Sequence, residues 1–252
     1  MNQKIKSSIR NFLPKTVREH RIIAGPLRGF KIVTSWHDYP AAITGRTEKS
    51  LLDWIQENIK PGETWLDVGA HYGYTAIALC RQVGSLGRVF VFEPMLTTAG
   101  YLDQTMAIND FRQSTVLPLA LGQVDGITIK QLPVERGMID STIENTGTVQ
   151  FVVTSLDWLW PQITNKDPKI NGVKIDVQGM ELSVLQGMVA ILRDQKPIIL
   201  LEFHKGANRE KIADIFSRAG YQEPGTSPDG KTPVPENNYL DNQSYVFLPR
   251  AN

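Results

Sequence analysis

The stretch TWLDVGAHYGYTAIALC, residues 64–80, constrains the fold of this chain more than any other. It opens as a short apolar strand, turns through Gly69 and Gly73, and continues with the apolar spacing of a helix. In an open parallel sheet, ligands bind beyond the carboxyl ends of the strands, near the point where strand order reverses. Gly69 permits a tight bend or a positive φ there. Gly73 lets the backbone come close to a ligand or to the sheet, and the helix that follows presents free amide groups.

From about residue 48 onward, apolar runs alternate with helical patterns, which predicts an α/β sheet. EKSLLDWIQENI (48–59) puts Leu51, Leu52, Ile55 and Ile59 on one helical face, and Pro61-Gly62 ends it. TWLDV, RVFVFEP, STVLPLAL, NGVKIDV and PIILLEF read as five core strands, with helices after the first, second, fourth and fifth. GMELSVLQGMVAIL reads as a helix, and the tail with SYVFLP as one or two final strands, an antiparallel hairpin where there are two. GITIKQLP and VQFVVTSL form a β-extension near residues 126–153, over one edge of the sheet, where acceptor selection is expected. The expected organisation is an N-terminal extension or lid over residues 1–47, then one domain over 48–252.

Composition narrows the partners. Lys plus Arg number 27 and Asp plus Glu 26, a formal charge of +1, so neither nucleic acid nor an anionic membrane is an expected partner. The one cysteine, Cys80, excludes an intrachain disulfide and a thiolate metal cluster. The basic N-terminal stretch lacks the apolar run of a signal peptide, and no window resembles a spanning helix. A cytoplasmic protein is expected, monomeric or homodimeric, without stable membrane insertion and acting on a small molecule.

Glu93 ends the second core strand about 20 residues beyond Gly73, where an acidic side chain accepts hydrogen bonds from a ribose diol. The glycine turn and Glu93 together indicate a nucleoside ligand. The spacing G-x-x-x-G lacks the triplet of a pyrophosphate cradle. An NAD(P)-dependent oxidoreductase would need that triplet and a hydride-site pair such as Tyr-Lys, and neither is found. A non-catalytic nucleoside-binding module is the other alternative.

LDVGAHYGYT, VFVFEP, LALG, SLDWL, VKIDVQGMELSVLQG and PIILLEFH together resemble the FkbM-type family of S-adenosylmethionine-dependent methyltransferases, over roughly residues 44–204. KIDVQGMEL is the most specific block, while His71 stands where the family more often has Asn. The resemblance implies a Rossmann-like, seven-stranded sheet, mostly parallel with an antiparallel last strand and helices on both faces. It also implies O-methylation of a hydroxyl on a sugar, polyketide or other natural product. The implied cofactor residues are Asp67, Gly69, Ala70, Gly73 and Glu93, with Thr75, Leu119 and Ala120 beside them.

Transfer of a methyl group from a sulfonium requires alignment above all, and orientation can contribute about 7–11 kcal/mol. A hydroxyl acceptor also needs a base or a metal ion. Asp176, Glu181, Glu202 and His204 gather at the ends of the fourth and fifth core strands. His204 is the first candidate for the base, because an imidazole titrates near working pH. Asp176 and Glu202 offer hard oxygen ligands to a divalent metal. However, no Asp-Asn doublet follows the fifth strand, so metal independence is preferred. Glu181 also suits a helix N-terminus, where a carboxylate is stabilised by about 0.3–1 kcal/mol. His37, Trp36 and Tyr39 are candidates for a lid, and Trp158 and Trp160 for packing.

Overall fold

A computed structural model describes residues 12–135, 138–139, 147–164, 168–230, 234 and 239–250. The chain opens with a hairpin of β1 (Arg18–Arg21) and β2 (Lys31–Thr34), then α1 (Pro40–Thr44) and α2 (Lys49–Asn58). Next come β3 (Thr64–Val68), α3 (Tyr74–Val83), β4 (Arg88–Phe92), α4 (Leu96–Ile108) and β5 (Ser114–Leu117). The β-extension holds β6 (Ala120–Leu121), β7 (Ile127–Glu135), β8 (Met138–Ile139) and β9 (Thr148–Thr154). It is followed by α5 (Leu156–Thr164), β10 (Gly172–Ile175), α6 (Glu181–Gln186), α7 (Val189–Asp194), β11 (Ile198–Phe203), α8 (Arg209–Ala219) and β12 (Gln243–Phe247).

The central sheet runs β12-β11-β10-β3-β4-β5, parallel except for β12. Strand order reverses between β3 and β10, so the carboxyl ends of those two strands define the crevice where α/β sheets bind ligands. Side chains alternate between two cores. Leu66, Val68, Phe90 and Phe92 pack on one side, and Trp65, Val89 and Val91 on the other. Trp65 lies opposite Gly172, where a Cβ would come within 2.2 Å of its ring, so the absent side chain makes room for the indole.

Three expectations need correction. The sheet has six strands among the described residues, not seven. Beyond β12 only isolated antiparallel bridges form, Tyr221 with Pro249 and Thr226 with Val246. Among the described residues 221–230, Pro224, Gly225, Pro228 and Gly230 interrupt the chain, and prolines remove ladder donors. SYVFLP accordingly supplies one final strand, β12, antiparallel to β11, and not the two of a hairpin. STVLPLAL divides at Pro118 into β5 and β6, and β6 leaves the central sheet to pair in parallel with β9. The helix predicted over GMELSVLQGMVAIL divides at Gly187-Met188 into α6 and α7. A Cβ on Gly187 would lie 2.3 Å from the Gly122 carbonyl oxygen, so the loop after β6 seats against the break.

The hairpin and α1 were not anticipated. The Val33 N–H donates to Thr105 Oγ1 and the Lys31 N–H to Asn109 Oδ1, while Ile22, Leu27 and Ile32 are buried with α3 and α4. The extension forms a second sheet, β6-β9-β7-β8. Residues 136–137 and 140–146 of the segment assigned to acceptor selection lie outside the described residues. Trp160 packs edge-on against Phe90, with ring centroids 4.9 Å apart, as expected of a core residue, whereas Trp158 is partly exposed. No helix among the described residues is long and apolar enough to cross a membrane.

Candidate active site

A cavity of about 270 Å³ opens at the reversal point, between the ends of β3, β4, β10 and β11. Gly69, Ala70, Thr75, Glu93, Leu119, Ala120, Asp176 and Glu202 all line it. Four other predicted site residues, Asp67, Gly73, Glu181 and His204, stand behind the wall. His71, Glu48, Asp38, Tyr39 and Lys174 complete much of the lining.

The two glycines do different work. Gly69 has φ +83°, and a Cβ there would lie 1.8 Å from the Asp176 carbonyl oxygen, so it allows the ends of β3 and β10 to meet. Gly73 has φ +91° and faces away from the cavity, where a Cβ would lie 2.5 Å from Leu102 Cδ1 on α4. Its close approach is therefore to a helix rather than to a ligand. Between them His71 adopts a left-handed φ of 52°, which Asn tolerates well and which explains why either residue suits the turn. Burial drives the His71 pKa down to about 4, so the ring is neutral at ordinary pH, packed between Tyr39 and Tyr72.

Glu93 is buried and accepts two backbone hydrogen bonds, from His71 N–H to Oε2 and from Met95 N–H to Oε1, each 2.9 Å. The carboxylate thus ties the glycine turn to the start of α4. Each oxygen retains a lone pair that can accept from a ligand hydroxyl. Burial, only partly offset by those N–H donors, raises its pKa to about 7.

Asp67 does not reach the cavity. It is the cross-strand neighbour of Lys174, whose Nζ lies 3.3 Å from Asp67 Oδ1 and 3.3 Å from Asp176 Oδ2. Burial opposes the charge on Lys174, but Asp176 and Asp67 outweigh it and hold the ammonium protonated. Burial likewise opposes ionisation of Asp176, and Lys174 and His204 together keep its pKa below the usual range. This buried cation fixes the direction of both carboxylates.

His204 is buried, with Nδ1 2.6 Å from Glu181 Oε1 and Nε2 3.4 Å from both Asp176 Oδ1 and Glu202 Oε1. Burial lowers its pKa, but the neighbouring carboxylates Glu181, Glu202 and Asp176 prevail and raise it to about 10. An imidazole so placed holds its proton at neutral pH and does not border the cavity. This differs from the expected free base. Burial first, then the charge on Asp176, pushes Glu202 up.

Glu48 is the residue that the sequence did not single out. It precedes α2 with a left-handed φ of 53°, which turns its carboxyl into the cavity rather than toward solvent. Burial and the charges of Glu202 and Asp176, opposed by Lys174, raise its pKa to about 7. In sequence it looks like an ordinary acidic residue at a helix start, because nothing there signals the positive φ. Of the lid candidates, Tyr39 lines the cavity, whereas His37 and Trp36 do not. His37 instead pairs with Asp38, whose carboxylate also accepts from Ser35 and Tyr72.

An open sheet with this strand order and an antiparallel last strand has the class I methyltransferase fold. Residues 67–223, more than half of the chain, match the Methyltransferase FkbM domain, and the chain belongs to that family. It is an enzyme of the S-adenosylmethionine-dependent methyltransferases. Over 177 residues it is 27% identical to the hexuronic acid methyltransferase AglP of Haloferax volcanii, covering 69% of this chain and 70% of that protein. Among solved structures, one from Clostridium thermocellum described as an rRNA-methylase superposes with a TM-score of 0.51 at 13% identity, over 79% of this chain and 92% of that one. The methyltransferase FkbM of Methylobacillus flagellatus KT gives 0.49 at 18% identity, over 78% and 50%. The family does not favour the nicotinamide oxidoreductase or the non-catalytic alternative.

The lining residues suit the cofactor. Glu93 has lone pairs to spare for a ribose, and Gly69 and Ala70 leave the turn backbone open. Leu119 and Ala120 lie beside them.

Proposed function

We propose that the enzyme methylates a hydroxyl oxygen of a sugar. The observation that carries this reading is the composition of one cavity. Glu93, Gly69 and Ala70 line it together with Glu48, Asp176 and Glu202, so groups suited to a nucleoside and groups suited to a hydroxyl acceptor share one space. S-adenosylmethionine supplies the electrophilic methyl carbon. Asp176 and Glu202 accept hydrogen bonds from the acceptor and orient it. Glu48, titrating close to working pH, takes the proton from the attacking hydroxyl. His204 positions Asp176 and Glu202 rather than acting as the base.

The relative's name concerns an acidic sugar, which supports a sugar acceptor here. A carboxylate acceptor would meet Glu48, Asp176 and Glu202, with Lys174 as the one lining ammonium among the described residues, so the hydroxyl is the preferred atom. The described part of the proposed 1–47 lid contributes Asp38 and Tyr39 to the lining, which supports a cover over the acceptor. The small acidic cavity also supports a small-molecule acceptor over nucleic acid.

The test has two stages. Calorimetry should show binding of S-adenosylmethionine and none of NAD. Screening of uronic acids and neutral sugars, read by mass spectrometry, should then yield a methylated product stable to mild alkali, as an ether is. An alkali-labile methyl ester would overturn the choice of hydroxyl, and turnover unaffected by Glu48→Gln would overturn its role as base.

A further inference from the structure

We propose that Asp176, Glu202 and His204 form a divalent-cation site in the wall of the cavity. One oxygen from each carboxylate and one ring nitrogen lie within 4.8 Å of one another. Glu202 lies in β11 and His204 just beyond it, two residues apart and so on the same side of the extended chain. Asp176 follows β10, the neighbouring strand.

The arrangement is more than a group of acids. His204 is buried, yet its Nε2 makes no hydrogen bond and points between Asp176 Oδ1 and Glu202 Oε1, 3.4 Å from each. Its other nitrogen is fixed by Glu181 Oε1, which also accepts from the Gly179 N–H at 3.0 Å, so an ion at Nε2 takes the place of the proton that the imidazolium carries there and releases it to solvent. A carboxylate that orients an imidazole from behind is the usual outer partner of a metal-binding histidine. Lys174 occupies Oδ2 of Asp176, and Oδ1, which accepts from Gln178 Nε2 at 3.4 Å, faces the other two donors. Asp176 and Glu202 both border the cavity, so an ion held here would keep coordination positions open toward it.

One imidazole with two carboxylates suits a first-row divalent ion such as Mn²⁺ or Zn²⁺ better than Ca²⁺. The sequence lacks the Asp-Asn doublet of catechol-type enzymes, but Glu202 and His204 provide oxygen and nitrogen donors at the end of the fifth core strand. The ion's use, holding a sugar hydroxyl and easing loss of its proton, rests on the proposed function. Its binding does not.

The test is a titration of the metal-free full chain with Mn²⁺, without cofactor or acceptor, followed by the electron paramagnetic resonance of the free ion. One Mn²⁺ should bind per chain. His204→Gln and Glu202→Gln should each weaken it at least tenfold, and Glu181→Gln, which would not touch the ion, by about 10–100-fold. In the wild-type chain, Mn²⁺ should broaden the His204 ring resonances before those of the other histidines, which gives a readout independent of variant folding. Absence of binding by Mn²⁺ and Zn²⁺ at millimolar concentration would overturn the site, as would binding that all three substitutions leave unchanged. S-adenosylmethionine titrations of the same samples separate the two proposals. Cofactor binding without metal binding removes only the cation site, and the reverse removes only the methyl-transfer reading.

Discussion

Glu93 holds the fold together at the cavity and is the proposed ribose partner. It closes the glycine turn through two backbone N–H groups, and its pKa of about 7 means that it is half protonated near neutrality. In the proposed complex the ionised form accepts from both ribose hydroxyls, whereas the neutral acid has only its carbonyl oxygen as a strong acceptor. Cofactor affinity contributed by Glu93 is therefore present above that pH and is lost as pH falls through it. Calorimetry between pH 6 and 8 should show the dissociation constant for S-adenosylmethionine rising toward acid. In Glu93→Gln the affinity should be weaker throughout and flatter with pH. The place of Glu93 at the cavity was legible in the sequence because its spacing from the turn is set by the length of a β-α-β unit. Glu48 was not legible, since its place in the cavity depends on a left-handed backbone angle that no local pattern announces. The part played by His204 was likewise hidden, because the carboxylates that control it come from three different segments.

Among the elements, the strands were the most readable. Continuous apolar runs such as TWLDV and PIILLEF belong to strands buried on both faces, and they fall where expected. Breaks were harder to read, because tertiary contacts decide them. The division between α6 and α7 depends on Gly122 packing against Gly187 and on Asp157, from the start of α5. The Asp157 carboxylate accepts from the N–H groups of Ala190 and Ile191 at 2.9 and 3.0 Å, capping the first turn of α7 from outside that helix. Asp157→Ala should remove both bonds and cost about 1 kcal/mol, within the range of lost N-caps. Urea denaturation should register that loss, with Asp157→Asn retaining part of it.

At the scale of the whole molecule, the last strand closes the core formed by segments far apart in the chain. Phe247 in β12 is fully buried, stacked on Phe216 of α8 at 4.1 Å between ring centroids and close to Phe203 and Tyr239. Phe247→Ala should lower the unfolding free energy by about 3–5 kcal/mol, measured by denaturant unfolding with the slope unchanged. A loss below 1 kcal/mol would mean that the edge of the sheet is not part of the cooperative core.

The short strand β6 belongs to both sheets' surroundings. Ala120 and Leu121 line the cavity, and the same two residues pair with Val153 and Thr154 of β9. Phe151, also in β9, borders the cavity as well. On the proposed function, an adjustment of the β-extension around an acceptor would pass through residues that line the same cavity as the proposed cofactor groups. The two ligands are in that case thermodynamically linked: whatever factor the cofactor adds to acceptor affinity, the acceptor returns to the cofactor.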